Sequence, residues 1–168
     1  RQVLAEKSIF EPYTAFKRIA RESKVLITAS DLQDFLVSNN IKINLKDCQH
    51  IIDIFDLNED GNLLSQSNLI VYNISYLNYS RFLNALLPKD DPLLRQMANM
   101  RPTYEIEIDE KLPYDLEYAI SRVFEEELNN WNRVQRIRQG VMQCKDITPL
   151  RAFEFLDHLA KNFLTMEE

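Results

Sequence analysis

Glycine is almost missing from this chain. Of 168 residues only Gly61 and Gly140 are glycine. They lie too far apart for a GxGxxG fingerprint, a phosphate-cradling loop or a GxSxG elbow, each of which needs glycines close together. The best-known nucleotide-binding and hydrolase motifs are excluded. Histidine is as sparse: His50 and His158 sit in no HExxH pattern and beside no evident nucleophile with an orienting acid, so both read as helix-surface or core-edge residues. Cys48 and Cys144 are the only cysteines, and neither joins a CxxC pair or a Cys/His cluster; a reducing compartment is expected. No apolar run approaches the roughly 20 residues that cross a bilayer, and the N-terminus lacks the apolar stretch of a secretory signal. Positive charge is also short. Twenty Lys and Arg against 26 Asp and Glu leave a net charge of −6, which argues against a nucleic-acid surface, because phosphate contacts need clustered cations. Nothing in these absences suggests an enzyme.

What is present is a globular composition, 45% hydrophobic and 27% charged, enough for one or two compact units. The sequence opens on Arg1 instead of Met, so an excerpt of a longer chain is expected. Asn73-Ile-Ser75 and Asn78-Tyr-Ser80 match glycosylation acceptors formally, and without a signal they read as coincidence.

The periodicity is helical. Tyr13, Phe16, Ile19 and Ala20 form one apolar stripe, and a second helix is expected from about Ala29 to Ser38 with Leu32, Phe35 and Leu36 inward. Thr28 and Asp31 read as its N-cap and N3 partner. Between the two helices Leu26-Ile27-Thr28 is a short apolar strand. Helix, strand, helix is the skeleton of an EF-hand, with Ile27 at loop position 8, where paired hands meet in a small antiparallel bridge. Counting back puts Ala20, Glu22 and Lys24 at positions 1, 3 and 5, which make no oxygen cage, so the first hand should be calcium-free.

A third helix, capped by Asn44 and carrying Cys48, Ile51, Ile52 and Phe55 on one face, runs into "DLNEDGN". Asp56, Asn58, Asp60 and Asn62 are the candidate metal ligands: oxygen side chains at alternate positions, with Gly61 at the sharp turn of a calcium loop. The same residues also suit a plain polar turn. Two registers close this loop. In the simple one Leu63 takes position 8 and Ser67 position 12, with a long exit helix. In the preferred one residues from about 63 to 76 are an insertion and the loop resumes at Leu77, with Asn78 or Ser80 as cap, Arg81 at position 12 and Phe82, Leu83, Leu86 and Leu87 buried. Neither Ser67 nor Arg81 replaces the bidentate glutamate expected there, so calcium, the candidate cofactor, should bind weakly, in a magnesium-like way or not at all.

"SRFLNALLPKDDPLLRQMANMRPTY", "KLPYDLEYAISRVFEEEL" and "DITPLRAFEFLD" together resemble a family of multi-EF-hand ciliary and cytoskeletal proteins of ciliated protists. The resemblance covers roughly residues 10 to 160. It implies a calcium-binding or calcium-derived building block of cilia and the cortical cytoskeleton; the lost position-12 acids and the insertion depart from that pattern.

Four prolines, Pro88, Pro92, Pro102 and Pro113, predict an extended strap over 89–113 with a helical turn near Leu93 to Met97. Within it "YEIEIDE" reads either as a short edge strand or as an acidic link. A long helix should follow from Tyr114 to about Gln143, its stripe running from Leu116 through Ile120, Val123, Phe124 and Leu128 to Trp131, Val134, Ile137 and Val141. That stripe is too long for a small lobe to cover, so Trp131, Val134, Ile137 and Val141 are the candidate partner-binding residues. The polar face turns from Glu125, Glu126 and Glu127 to Arg133, Arg136 and Arg138, the order the helix dipole favours. Finally Thr148 and Pro149 begin another helix, and Asp157, Leu159, Lys161, Leu164 and Glu168 fall at positions 1, 3, 5, 8 and 12 of an incomplete third hand.

The sequence thus predicts an all-α chain: a degenerate EF-hand pair over 10–88, the strap over 89–113, the long helix over 114–145 and a partial hand over 148–168. The expected function is a non-enzymatic structural protein of a ciliary (axonemal microtubule) or cortical cytoskeletal assembly. Its partners would be the proteins of that assembly, without nucleic acid or a membrane span, in the cytoplasm, cytoskeleton or cilium. The alternative is a calcium-binding regulatory module that opens onto a helical target.

Overall fold

The computed structural model describes residues 1–21, 25–56, 76–107, 110–144, 148–157 and 161, with the side chains of 56 and 149 excepted. The described residues are helical with a single isolated bridge: α1 (Gln2–Glu6), α2 (Pro12–Ala20), α3 (Ala29–Ser38), α4 (Leu45–Asp56), α5 (Tyr79–Leu86), α6 (Pro92–Asn99), α7 (Tyr114–Gln143) and α8 (Pro149–Leu156). The protein is all-α. None of these helices is long and apolar enough to cross a membrane.

The chain forms two compact units, Arg1–Leu128 and Asn129–Glu168, with α7 beginning in the first and ending in the second. In the first, α3 packs on α2 and α4, and α5 packs on α2 and α4. Side-chain caps mark the starts of α2, α3, α4 and α5. Glu11 accepts from the N–H groups of Tyr13 and Thr14 ahead of α2, Thr28 and Asp31 form a reciprocal capping box for α3, Asn44 Oδ1 accepts from Asp47 N–H, and Asn78 Oδ1 accepts from Arg81 N–H. The stripes point inward: Phe16, Ile19, Leu32, Phe35, Leu36, Cys48, Ile51, Ile52, Phe55, Phe82 and Leu86 are all buried. Tyr13, expected on the α2 stripe, is exposed at its edge, where its ring meets Tyr79 edge-on at 5.3 Å.

Within the strap, the helical turn expected near Leu93 to Met97 is the eight-residue α6, longer than expected because prolines stand at helix boundaries: Asp91 Oδ1 caps the N–H of Leu94 and Pro92 occupies the first turn, where its missing N–H costs nothing. Residues 104–107 form no strand; Ile106 packs against the core while Glu105 and Glu107 face solvent.

The docking of α1 is invisible to the stripes. Helix α1 packs on α6, burying Leu4 and Ala5, with Phe10 buried behind it. The Arg101 guanidinium holds this segment by donating to the carbonyls of Ala5, Lys7 and Phe10, each at 2.7 Å. The first half of α7 then closes the core with Leu116, Ile120 and Phe124, the last meeting Phe55 edge-on.

In the second unit α8 begins with Thr148 Oγ1 accepting from Arg151 N–H and Pro149 in the first turn. It ends at Asp157, a buried residue whose Oδ1 accepts from Lys161 N–H at 2.9 Å.

Candidate functional site

Helices α2, α3, α4 and α5 pack together, and the residues just ahead of α3 and α5 meet at one point. Ile27 and Leu77 are antiparallel neighbours and exchange two backbone hydrogen bonds, of 2.8 and 2.9 Å. Both side chains are buried, and each is followed at once by a capping residue and an exit helix: Thr28 and α3, Asn78 and α5. Residues 76–78 lie outside any helix. Leu77 is the residue that faces Ile27.

The described residues of these turns do not fit a calcium cage. Ala20 brings no side-chain oxygen and is buried, and the guanidinium of its neighbour Arg21 pairs with Asp34 at 3.1 Å. Asp31, eleven residues after Ala20, is the acid that could close the first turn, but its Oδ2 already accepts from Thr28 N–H (2.9 Å) and Thr28 Oγ1 (2.6 Å). At the matching place after α4 stands Arg81. Its guanidinium Nη1 donates to the carbonyl of Tyr76 at 3.2 Å, so a fixed positive charge rests on a backbone oxygen of this turn. No group of three acidic, thiol or imidazole side chains suited to a metal occurs among the described residues.

Of the sequence-predicted ligands, Asp56 is the last residue of α4, and its side chain lies outside the described residues, as do Asn58, Asp60 and Asn62. Glu22 and Lys24 of the first turn, Gly61, Leu63, Ser67 and the Asn73 acceptor lie outside them too, as do His158, Leu159, Leu164 and Glu168 of the last segment.

Trp131 is half-buried, while Val134, Ile137 and Val141 are 44%, 57% and 45% exposed on the far half of α7. The helix thus changes character along its length: buried over Leu116 to Phe124, open over Val134 to Val141.

Sequence reasoning missed the polar centre of the first unit. Glu117 and Arg18, only 2% and 8% exposed, form an ion pair at 2.6 Å, and the guanidinium lies over the Phe35 ring. The same carboxylate accepts from Asn39 Nδ2 at 2.8 Å and from Leu112 N–H at 3.1 Å, tying α2, the end of α3 and the end of the strap to α7. The only local signal is an acid in a first helical turn, which ordinarily complements the dipole from the surface. An open groove of about 690 Å³ lies between α1 and α7, with Leu4, Ala119 and Val123 among its lining. Its rim pairs Arg1 with Glu127, Lys7 with Asp115 and Arg122 with Glu126, so it favours no ligand charge.

Compared with models of known protein families, with curated proteins and with solved structures, the chain matches none.

Proposed function

We propose that this chain is a non-enzymatic EF-hand structural protein, a component of a ciliary or cortical cytoskeletal assembly, whose paired lobe keeps its shape without calcium and whose long helix carries the contact to partner proteins. The observation that carries the reading is the reciprocal Ile27–Leu77 bridge with a capped helix leaving each side. Those two residues stand at loop position 8 of two hands, the place where such hands pair. The polar groups around the bridge support an ion-independent lobe. In a calcium loop the position-7 carbonyl and the position-12 carboxylate face the cation. Here the position-7 carbonyl of Tyr76 takes the Arg81 guanidinium, and the position-12 carboxylate of Asp31 takes Thr28. Placement in a cilium or cortex rests on the family resemblance of the strap and the start of α7.

Calorimetric titration of the chain with calcium and then magnesium tests the reading. The expected result is no heat at micromolar ion and an unchanged circular dichroism spectrum. Micromolar calcium affinity accompanied by a helical rearrangement would replace the scaffold with a sensor.

A further inference from the structure

The far half of α7 carries a short seam with its own charge code. Val134, Ile137 and Val141 recur at spacings of three and four, the a, d, a positions of a heptad, and Cys144 at the next d is also exposed. Arg133 then falls at g and Arg138 at e, one on each side of the stripe. Neither arginine has an ion pair among the described residues. From Asn129 to Cys144 there are three arginines and no acid, in a chain of net charge −6.

We infer that this face docks an acidic amphipathic helix of another protein, one with an apolar seam flanked by Glu or Asp at its e and g positions. The inference rests on the scaffold reading and names the chemistry of its partner. Three observations select this occupant. First, the stripe is confined between flanking arginines, the narrow seam of a helix pair and not the broad apolar face of a helix bound at a membrane surface. Its a positions are the β-branched Val134 and Val141, which suit a two-stranded seam. Second, a copy of the same helix is the wrong partner. A parallel pair sets Arg133 of one helix against Arg138 of the other, and an antiparallel pair sets Arg138 against Arg138, like charges that oppose association. Third, acidic flanks meet both arginines at once. Gly140, at the second g, leaves open space where any Cβ would stand, so a partner side chain can lie there without a clash.

The test uses the full chain and two synthetic peptides of three heptads, both with Ile at a and Leu at d, one with Glu and the other with Lys at every e and g. Fluorescence anisotropy should show the Glu peptide binding at least about tenfold more tightly than the Lys peptide at low salt, with the gap closing as salt screens it. Ile137→Asp should abolish binding with the helix content intact. The double variant Arg133→Glu/Arg138→Glu should reverse the preference, an outcome that misfolding cannot imitate. The inference is overturned if neither peptide binds, if the two bind alike, or if the charge-swapped variant keeps the original preference. It is also overturned if sedimentation shows a dimer that Ile137→Asp dissolves, or if phosphatidylserine vesicles capture the chain and Ile137→Asp releases it. The scaffold reading fails separately: a tight calcium site together with an intact Glu-peptide preference would discard the scaffold and leave the acidic partner standing.

Discussion

Glu117 accepts donors from two residues distant in sequence, Arg18 and Asn39, and from the nearby Leu112 N–H, and it does so with almost no access to water. A charge there is tolerable only while its partners stay in place, since an unpaired buried ion carries a desolvation cost of several kcal/mol. Glu117→Ala strands the Arg18 guanidinium among Phe35 and its neighbours and should cost about 3–5 kcal/mol of unfolding free energy, read from urea denaturation. Replacing both partners with apolar residues, Arg18→Met with Glu117→Leu, should recover most of that loss. A double variant as unstable as Glu117→Ala would mean that Asn39 and Leu112, whose donors the carboxylate also satisfies, outweigh the ion pair. Arg81 shows the converse arrangement, a guanidinium on the rim of the structure whose hydrogen bond to Tyr76 fastens a turn. One arginine is committed to the core and the other to a loop, and composition alone does not distinguish them.

Among the elements, those that announce themselves with a side-chain cap are legible in the sequence. Thr28 with Asp31, Asn44, Asn78, and Thr148 with Pro149 mark the starts of α3, α4, α5 and α8, and the apolar stripes behind them follow the helical period. Helix α1 carries no such mark. Its N-cap Arg1 makes no side-chain cap bond, and five residues cannot sustain a helix by local propensity, so it depends on packing against α6 and on Arg101, more than ninety residues away. The strap is legible only in part: the helical turn at Leu93 to Met97 lies within α6, but its full length is hidden because four prolines look like a broken segment until each is seen to flank a helix. Glu117 is illegible because two of its partners, Arg18 and Asn39, come from remote segments, and the candidate calcium ligands after α4 lie outside the described residues. The end of α3 is a local device that can be tested. Asn40 sits in the left-handed region at φ 63°, with its N–H bonded to Val37 O and Ile41 N–H bonded to Leu36 O, the paired bonds of a Schellman cap. Asn tolerates this conformation and Gly prefers it. Asn40→Gly should therefore hold or raise stability, whereas Asn40→Val should cost about 1–2 kcal/mol, compared by thermal unfolding. Equal melting temperatures for the two variants would remove the strain argument.

For the molecule as a whole, burial sets a limit on its alkaline side. The Cys48 thiol lies in the core beside Asp47, and burial first, then that carboxylate, pushes its pKa up to about 12. The Tyr79 phenol is likewise pushed up to about 12, mainly by burial and then by Glu11 and Tyr13, and Tyr104 is raised by burial and Glu11. Each of these groups is neutral when protonated, and the folded chain holds the proton more tightly than the unfolded chain, whose thiol and phenols lose it near their ordinary values of about 9 and 10. Their contribution to stability is complete below those values. It must decline as the pH climbs toward 12, because over that window the unfolded state releases protons that the folded state retains. Thermal unfolding followed from pH 8 upward should show a melting temperature that falls from about pH 9 onward. Tyr79→Phe keeps the edge-on ring contacts to Tyr13 and Phe16, 5.3 and 5.5 Å between centroids, while removing the ionisable oxygen. Its decline should be shallower than that of the unaltered chain between pH 10 and 12, and Cys48→Ala, less stable at neutral pH for want of the sulfur, should be shallower from pH 9. Parallel slopes in all three proteins would leave the buried thiol and phenol without a part in the alkaline loss.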